Sequence, residues 1–241
     1  METANYQQIE SIEQHNWWYK GKRDLFDQML SRITKHSKIE KALDIGCGVG
    51  SNLEVLHRHT TEVKGIDFSE LAVEFCKQKG FKNVVKGDVC NLPKKEKFDL
   101  VLCSELLEHV DDVKAVEHIS SVLKPGGIFI FSVPAHKYLW NDNDVISHHL
   151  RRYKKEQLQR LLQNNFAHIR LGYWNSSLFL PTLIYYQLQK LQKNRKPVNN
   201  LTLIPKMLNS TLHGLLKLEN KLFHKVSLPQ GISIVGVAVK K

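Results

Sequence analysis

Leu43 to Gly50, reading LDIGCGVG, constrains this chain more than any other stretch. An apolar strand end, Ala42 and Leu43, runs into Asp44. Gly46, Cys47, Gly48 and Gly50 follow before Ser51 and Asn52 open a helical pattern. Glycine supplies a sharp turn and lets the backbone approach a ligand where a Cβ would collide. The spacing is G-x-G-x-G with an acid two residues ahead, whereas the dinucleotide fingerprint is G-x-G-x-x-G with an apolar residue at that place. The loop therefore suits a nucleoside carrying a cationic amino-acid tail rather than a pyrophosphate, and Asp44 is placed to meet an ammonium directly or through water. A glycine-rich turn of purely structural role gives the same local pattern, so the markers downstream decide.

From Ile39 short apolar strands alternate with helices. KALDI is followed by a helix near 52–59, and EVKGID ends at Asp67, where Ser69 can cap a helix over 70–79. NVVKGD ends at Asp88. FDLVLCS precedes a helix over 112–123, and LKPGG turns into IFIFSVP. This rhythm is that of an α/β, Rossmann-like, doubly wound parallel sheet with its ligand at the carboxyl ends of the strands. Residues 135–152 form a polar, aromatic loop, a helix spans about 154–165, and HIRLGYW and ISIVGVAVK close the sheet. About 55 residues of helical character separate those last two strands, far more than a hairpin needs.

Four units follow: a helical lid over 1–38, a cofactor-binding core over 39–175, a helical insert over 176–230 and a final core strand over 231–241. The 42% apolar content fills such a core, and no run approaches the roughly 20 apolar residues of a membrane span. The polar opening METANYQQIE leads us to expect no leader peptide, and four cysteines without C-x-x-C spacing are expected as buried thiols of a cytoplasmic protein. Charge is uneven. Residues 1–150 carry 19 basic and 22 acidic side chains, residues 151–241 carry 16 and two. A basic end portion suits a polyanion, whether nucleic acid, an anionic membrane surface or a phosphorylated substrate, although a solvated lysine-rich face reads the same. LFLPTLIYYQLQKL followed by KNRK has the make-up of an interfacial helix, or of a packed cap. In HNWWYKGKR, Tyr19 and Arg23 have polar tips that need partners and are the candidates for ligand contact.

Asp67 lies 21 residues beyond Gly46 at the end of the second strand, where one carboxylate can accept both ribose hydroxyl protons. Asp88 is placed for an adenine edge. These three acids and the loop, with CSELLEHV and LKPGG, resemble the class I S-adenosylmethionine-dependent methyltransferases over roughly residues 40–133. The resemblance implies a seven-stranded sheet with the seventh strand antiparallel between the fifth and sixth, and S-adenosyl-L-methionine as cofactor. It implies Asp44, Gly46, Cys47, Gly48 and Gly50 at the methionine part, Asp67 at the ribose, Asp88 and Val89 at the adenine, Phe68 beside the adenosine, and Ser104 and Glu105 near the sulfonium. Glu108 and His109 fit the family pattern as helix-start residues or as cleft lining. VPA followed by WNDNDVISHHLRRY is similar to a bacterial small-molecule subgroup, many of whose members carry ubiquinone-type or type-11 labels, with a D-x4-H-x-RRY signature that selects Asp144, His149, Arg151, Arg152 and Tyr153.

Methyl transfer requires the acceptor held in line, and an oxygen acceptor must also lose a proton. His149 is the candidate base, with Asp144 to orient it. Tyr138, Trp140 and Tyr153 are candidate acceptor contacts, and Arg151 and Arg152 either grip an anionic acceptor or pair with the loop's own acids. Asp142, Asp144, His148 and His149 match no strong metal pattern, so no metal is expected. The expected acceptor is a small or lipid-linked molecule, methylated at oxygen. The alternatives are an RNA methyltransferase using the basic end portion and a non-catalytic cofactor-binding protein.

Overall fold

The computed structural model describes residues 3–92, 95–191 and 202–241. β1 (Lys41–Ile45), β2 (Glu62–Asp67), β3 (Val84–Lys86), β4 (Phe98–Ser104), β5 (Leu123–Pro134), β6 (Phe166–Trp174) and β7 (Ser233–Lys240) form one sheet in the order 3-2-1-4-5-7-6. β1 to β5 pair in parallel, and β7 runs antiparallel to both β5 and β6. β1 sits between β2 and β4, so the winding reverses there and opens a crevice beyond the carboxyl ends of β1 and β4. That crevice is where the glycine loop lies.

Both faces of the sheet are covered, which is why its strands read as near-continuous apolar runs. Leu43 and Ile45 belong to a core with α5 (Asp112–Val122) and α7 (Lys155–Leu162), through Ala115, Val116, Ile119, Leu158 and Leu162. Ala42, Leu100 and Leu102 belong to the other core, with α2 (Trp17–Thr34), α3 (Ser51–His57) and α4 (Glu70–Gln78). α2 starts where Asn16 accepts a hydrogen bond from the Trp18 N–H, a cap that satisfies a free helix-end donor. Leu25, Phe26, Met29 and Leu30 then form its buried stripe. The segment expected as a lid therefore divides: its later half is core, and α1 (Thr3–His15) with the first turns of α2 lies over the crevice.

Two element boundaries differ from expectation. β5 begins at Leu123, because β4 and β5 pair at Phe98–Leu123 and again from Leu100–Ile128, so KPGG is a bulge inside the strand rather than a turn before it. β3 ends at Lys86, and Asp88 stands beyond it on an exposed turn.

Between β6 and β7 lie α8 (Phe179–Leu191) and α9 (Lys206–Phe223). α9 packs along α2, with Leu216 so close to Gly21 that any Cβ there would collide with it. Asn220 donates to Gly21 O at 2.8 Å and accepts from the Trp174 indole at 2.8 Å, and His213 meets Asp24 at 2.7 Å. α8 buries no side chain completely. Gln187 and Lys190 tie it to Tyr138 O, while Leu180, Ile184, Leu188 and Leu191 are exposed. The KNRK stretch lies outside the described residues. No described helix is long and apolar enough to cross a membrane.

Candidate active site

The loop after β1 turns through three glycines with left-handed backbone, Gly46, Gly48 and Gly50, at φ 74°, 51° and 83°. Gly46 and Cys47 donate to Ile66 O at 2.8 and 3.1 Å, which pins the loop to the end of β2. The Asp67 carboxylate braces it further, accepting from Gly48 N at 2.8 Å and Ser69 N at 2.9 Å. Each of its oxygens keeps a second lone pair for a ligand hydroxyl. Asp44, inside the loop, is fully buried and neither of its oxygens has a hydrogen-bond partner among the described residues. Burial, and then the charge of Asp67, push its carboxyl well above the usual range. A buried acid with two unused oxygens behind a glycine loop is what a ligand ammonium would satisfy, so these residues fit the methionine end of S-adenosylmethionine.

A cavity of about 290 Å³ opens beside the loop. Gly46, Cys47 and Gly48 form its floor, Ser104 and Glu105 its end, and Glu13, Trp18, Tyr19, Lys22 and Arg23 its roof. Arg23 is fixed by donating to Glu13 O at 2.6 Å. Lys22 is buried and donates to Glu105 at 2.6 Å, with its ammonium 3.5 Å from the Trp18 ring centroid. Burial alone would raise the Glu105 carboxyl; Lys22, with the Ser132 hydroxyl at 2.9 Å, holds it below the usual range instead. Glu105 sits at φ 53°, an uncommon conformation that this pair of contacts fixes.

A second cavity of about 170 Å³ adjoins the first and shares Trp18, Glu105, Asn143 and His149 with it. Asp144, fully buried on α6 (Asp142–Ile146), places Oδ1 2.8 Å from both His149 Nδ1 and Arg152 Nε. Its other oxygen accepts from Asn141 N at 2.7 Å in a capping box. Burial would raise this carboxyl, but the hydrogen bonds from His149 and Arg152 lower it. An ionised carboxylate only accepts, so Nδ1 carries the hydrogen of this contact. The far wall comes from Asn175 and, on α8, Thr182 and Tyr186.

Of the residues singled out from the sequence, Arg23, Gly46, Cys47, Gly48, Ser104 and Glu105 line the first cavity, and Asp144, His149 and Arg152 the second. Asp44 and Gly50 are buried behind the loop. Asp67, Phe68, Asp88 and Val89 lie outside the cavity at neighbouring strand ends, with Phe68 75% exposed. The Asp88 carboxylate accepts from Cys90 N at 2.8 Å. Tyr19 stands in the first cavity. Tyr138 lines a separate surface pocket and stacks on His136, and Trp140 lines neither cavity. Tyr153 lines neither cavity: it pairs with Ala135 in a β-bridge, and its buried hydroxyl lies 3.0 Å from Leu107 O and 2.9 Å from Asp112 Oδ2, within the core. Arg151 pairs with Asp112 at 2.8 Å on α5 rather than with an acid of its own loop. Glu108 is buried with both oxygens unpartnered among the described residues, and His109 lines the first cavity, edge-on to His149 at 4.6 Å. Glu108, His109 and His149 bring ligand-type atoms within 4.8 Å of one another, one metal-compatible group among the described residues. Sequence reasoning passed over Lys22, Asn175, Thr182 and Tyr186. The four-residue spacings Trp18–Lys22 and Thr182–Tyr186 were the available signals, each placing a pair on one helix face.

Residues 43–131 match the family model described as a methyltransferase domain of type 11. The ubiquinone biosynthesis O-methyltransferase of Coxiella burnetii is 35% identical over 113 residues, 44% of this chain and 46% of that one. The enzyme of the same name from Haemophilus ducreyi is 30% identical over 157 residues, 55% and 65% of the two chains. The chain thus spans about half the length of the first curated relatives it matches. A solved structure of a SAM-dependent methyltransferase from Thermotoga maritima, described as a possible histamine N-methyltransferase, superposes with a TM-score of 0.60 over 98% of this chain and 97% of that one at 19% identity, a likeness of fold. The glycine loop, the strand-end acids, the seven-stranded order and these matches together support a class I S-adenosylmethionine-dependent methyltransferase of the type-11 group, with the domain match over residues 43–131.

Proposed function

We propose that this protein moves the methyl group of S-adenosyl-L-methionine to a hydroxyl oxygen of a small or lipid-linked acceptor. The observation that carries the reading is the meeting of the two cavities at Glu105 and His149, one with cofactor-type walls and the other holding a His149–Asp144 pair. When bound, the cofactor supplies a methyl group activated by its sulfonium. Asp44 holds the ammonium, Asp67 the ribose hydroxyls, and the Lys22–Glu105 pair fixes the end of the first cavity. His149, held through Nδ1 by Asp144, takes the acceptor's hydroxyl proton at Nε2. A positioned base of this kind contributes about 10²- to 10⁴-fold to a rate. The similarity to ubiquinone biosynthesis O-methyltransferases supports oxygen as the acceptor atom.

The lipid-linked side of the proposal rests on α8. Its Thr182 and Tyr186 face the second cavity, and its exposed Leu180, Ile184, Leu188 and Leu191 turn the other way. With the basic end portion this suits a helix lying on an anionic bilayer at the cytoplasmic face, beside the mouth through which an amphipathic acceptor would enter. The test uses cofactor labelled on its methyl group, an extract of the source cells, and separation into organic, aqueous small-molecule, protein and nucleic-acid fractions. Label in the organic or small-molecule fraction is the expected result. Label in nucleic acid would overturn the proposal and make the basic portion an RNA-binding surface.

A further inference from the structure

Asn175 follows the end of β6 and lines the second cavity. Its side chain is 1% exposed, and neither its amide oxygen nor its amide nitrogen has a hydrogen-bond partner among the described residues. A buried polar group left unpaired is destabilising, so native folds rarely keep one without a use. The backbone is unusual as well, at φ 58°. Asparagine is favoured in that conformation because its amide can hydrogen-bond locally, and here the amide makes no such bond among the described residues. The backbone groups beside it are engaged elsewhere, while the neighbouring Ser176 hydroxyl is likewise buried without a partner among the described residues. Ser176 and Ser177 give their backbone N–H groups to Glu219 at 2.9 Å each, and the Trp174 indole donates to Asn220. The chain around Asn175 is thus held from the α9 side, and this residue of the cavity wall keeps an amide donor and acceptor unused among the described residues.

We infer that Asn175 selects the acceptor by holding a second hydroxyl, one that does not take the methyl group. A hydroxyl both donates and accepts, so a single such group satisfies the amide oxygen and the amide nitrogen together. His149 stands on the same cavity for the reacting hydroxyl. The acceptor class is therefore a molecule with at least two hydroxyls close enough to lie in one cavity of about 170 Å³. This inference rests on the methyl-transfer reading above and adds to it which residue reads the acceptor and what that residue reads. A site built to hydrogen-bond a hydroxyl discriminates strongly once the bond is removed, because the partner is left buried and unpaired.

The test is Asn175→Gly, which removes the amide and relieves the positive φ. It is assayed with methyl-labelled cofactor and the organic and aqueous small-molecule fractions of the source extract. The expected result is unchanged cofactor affinity, a melting temperature equal to or above that of the wild type, and transfer per unit of extract lowered at least about tenfold. The labelled product of the wild-type reaction is then acetylated and weighed, and at least one acetyl group is expected to add to a remaining hydroxyl. Undiminished transfer by Asn175→Gly would make Asn175 a turn residue and overturn the inference while leaving methyl transfer in place. A product with no free hydroxyl would overturn the dihydroxy class. No wild-type transfer to any fraction would remove the methyl-transfer reading, and this inference with it.

Discussion

Replacing Asp44 by asparagine separates the cost of that acid from its use. The carboxyl is fully buried, has no partner among the described residues, and is pushed well above the usual range by burial and by Asp67. A raised folded-state pKa means that Asp44 contributes most to stability below its unfolded pKa, where both states hold the proton. As pH rises through the interval up to the raised pKa, the unfolded chain ionises and the folded one does not, and stability is lost at about 1.4 kcal/mol per pH unit. An amide at this position does not titrate. The expected outcome, read by urea unfolding of the cofactor-free protein, is that Asp44→Asn matches the wild type near pH 4 and gains on it steadily as pH rises, levelling off above the folded pKa. Cofactor binding should move the other way. Losing a charge-assisted hydrogen bond of about 1.5–3 kcal/mol weakens affinity roughly 10- to 150-fold, which calorimetry at pH 7.5 measures. Parallel stability curves, or an unchanged cofactor affinity, would refute the assignment of Asp44 to the ammonium.

Three other outcomes are expected. His149→Ala should slow transfer by about 100-fold or more with cofactor affinity within about twofold of wild type; equal rates on the extract acceptor would remove the base role. At Gly50 a Cβ would lie 3.0 Å from the Phe81 ring and 3.2 Å from Cys76 Sγ at φ 83°, so Gly50→Ala should lower stability by about 2–4 kcal/mol in urea, and an unchanged midpoint would show that the loop adapts. Chelation should leave transfer unchanged; a loss restored by added magnesium would put an ion on Glu108, His109 and His149.

The cofactor half of the site was legible because its chemistry is local. Gly46, Gly48 and Gly50 announce a turn that only glycine makes easily, and Asp44 and Asp67 sit at strand ends whose apolar runs are plain. The Asp144–His149 pair was legible for the same reason, since five residues separate partners that a short helix and turn bring together. The Lys22–Glu105 pair was not, because it joins residues 83 apart whose neighbours give no periodic hint of each other. Asn175, Thr182 and Tyr186 were hidden because the second cavity is closed by an insert whose path the strand–helix rhythm does not set. Tyr153 misled through its position: it follows two arginines in a polar loop, yet the chain re-enters the core at that residue. KPGG reads as a turn on composition, and the sheet absorbs it as a bulge because the chain resumes pairing with the same neighbour.

The clasp between α2 and α9 bears on how the protein is made. Asn220 with Gly21, His213 with Asp24, and Asn209, which accepts from Trp17 N, bridge 189 to 199 residues of chain. Trp18 and Lys22, which roof the first cavity, stand on the helix gripped in this way. A ribosome emits α2 well before α9, and α2 waits unclasped until α9 has been translated. Closing so distant a contact is entropically slow, so the glycine loop and its sheet form earlier than the roof above them. The capacity to retain a nucleoside ligand thus arrives only once α9 has been made, and a nascent chain stalled before α9 carries the loop without its cover.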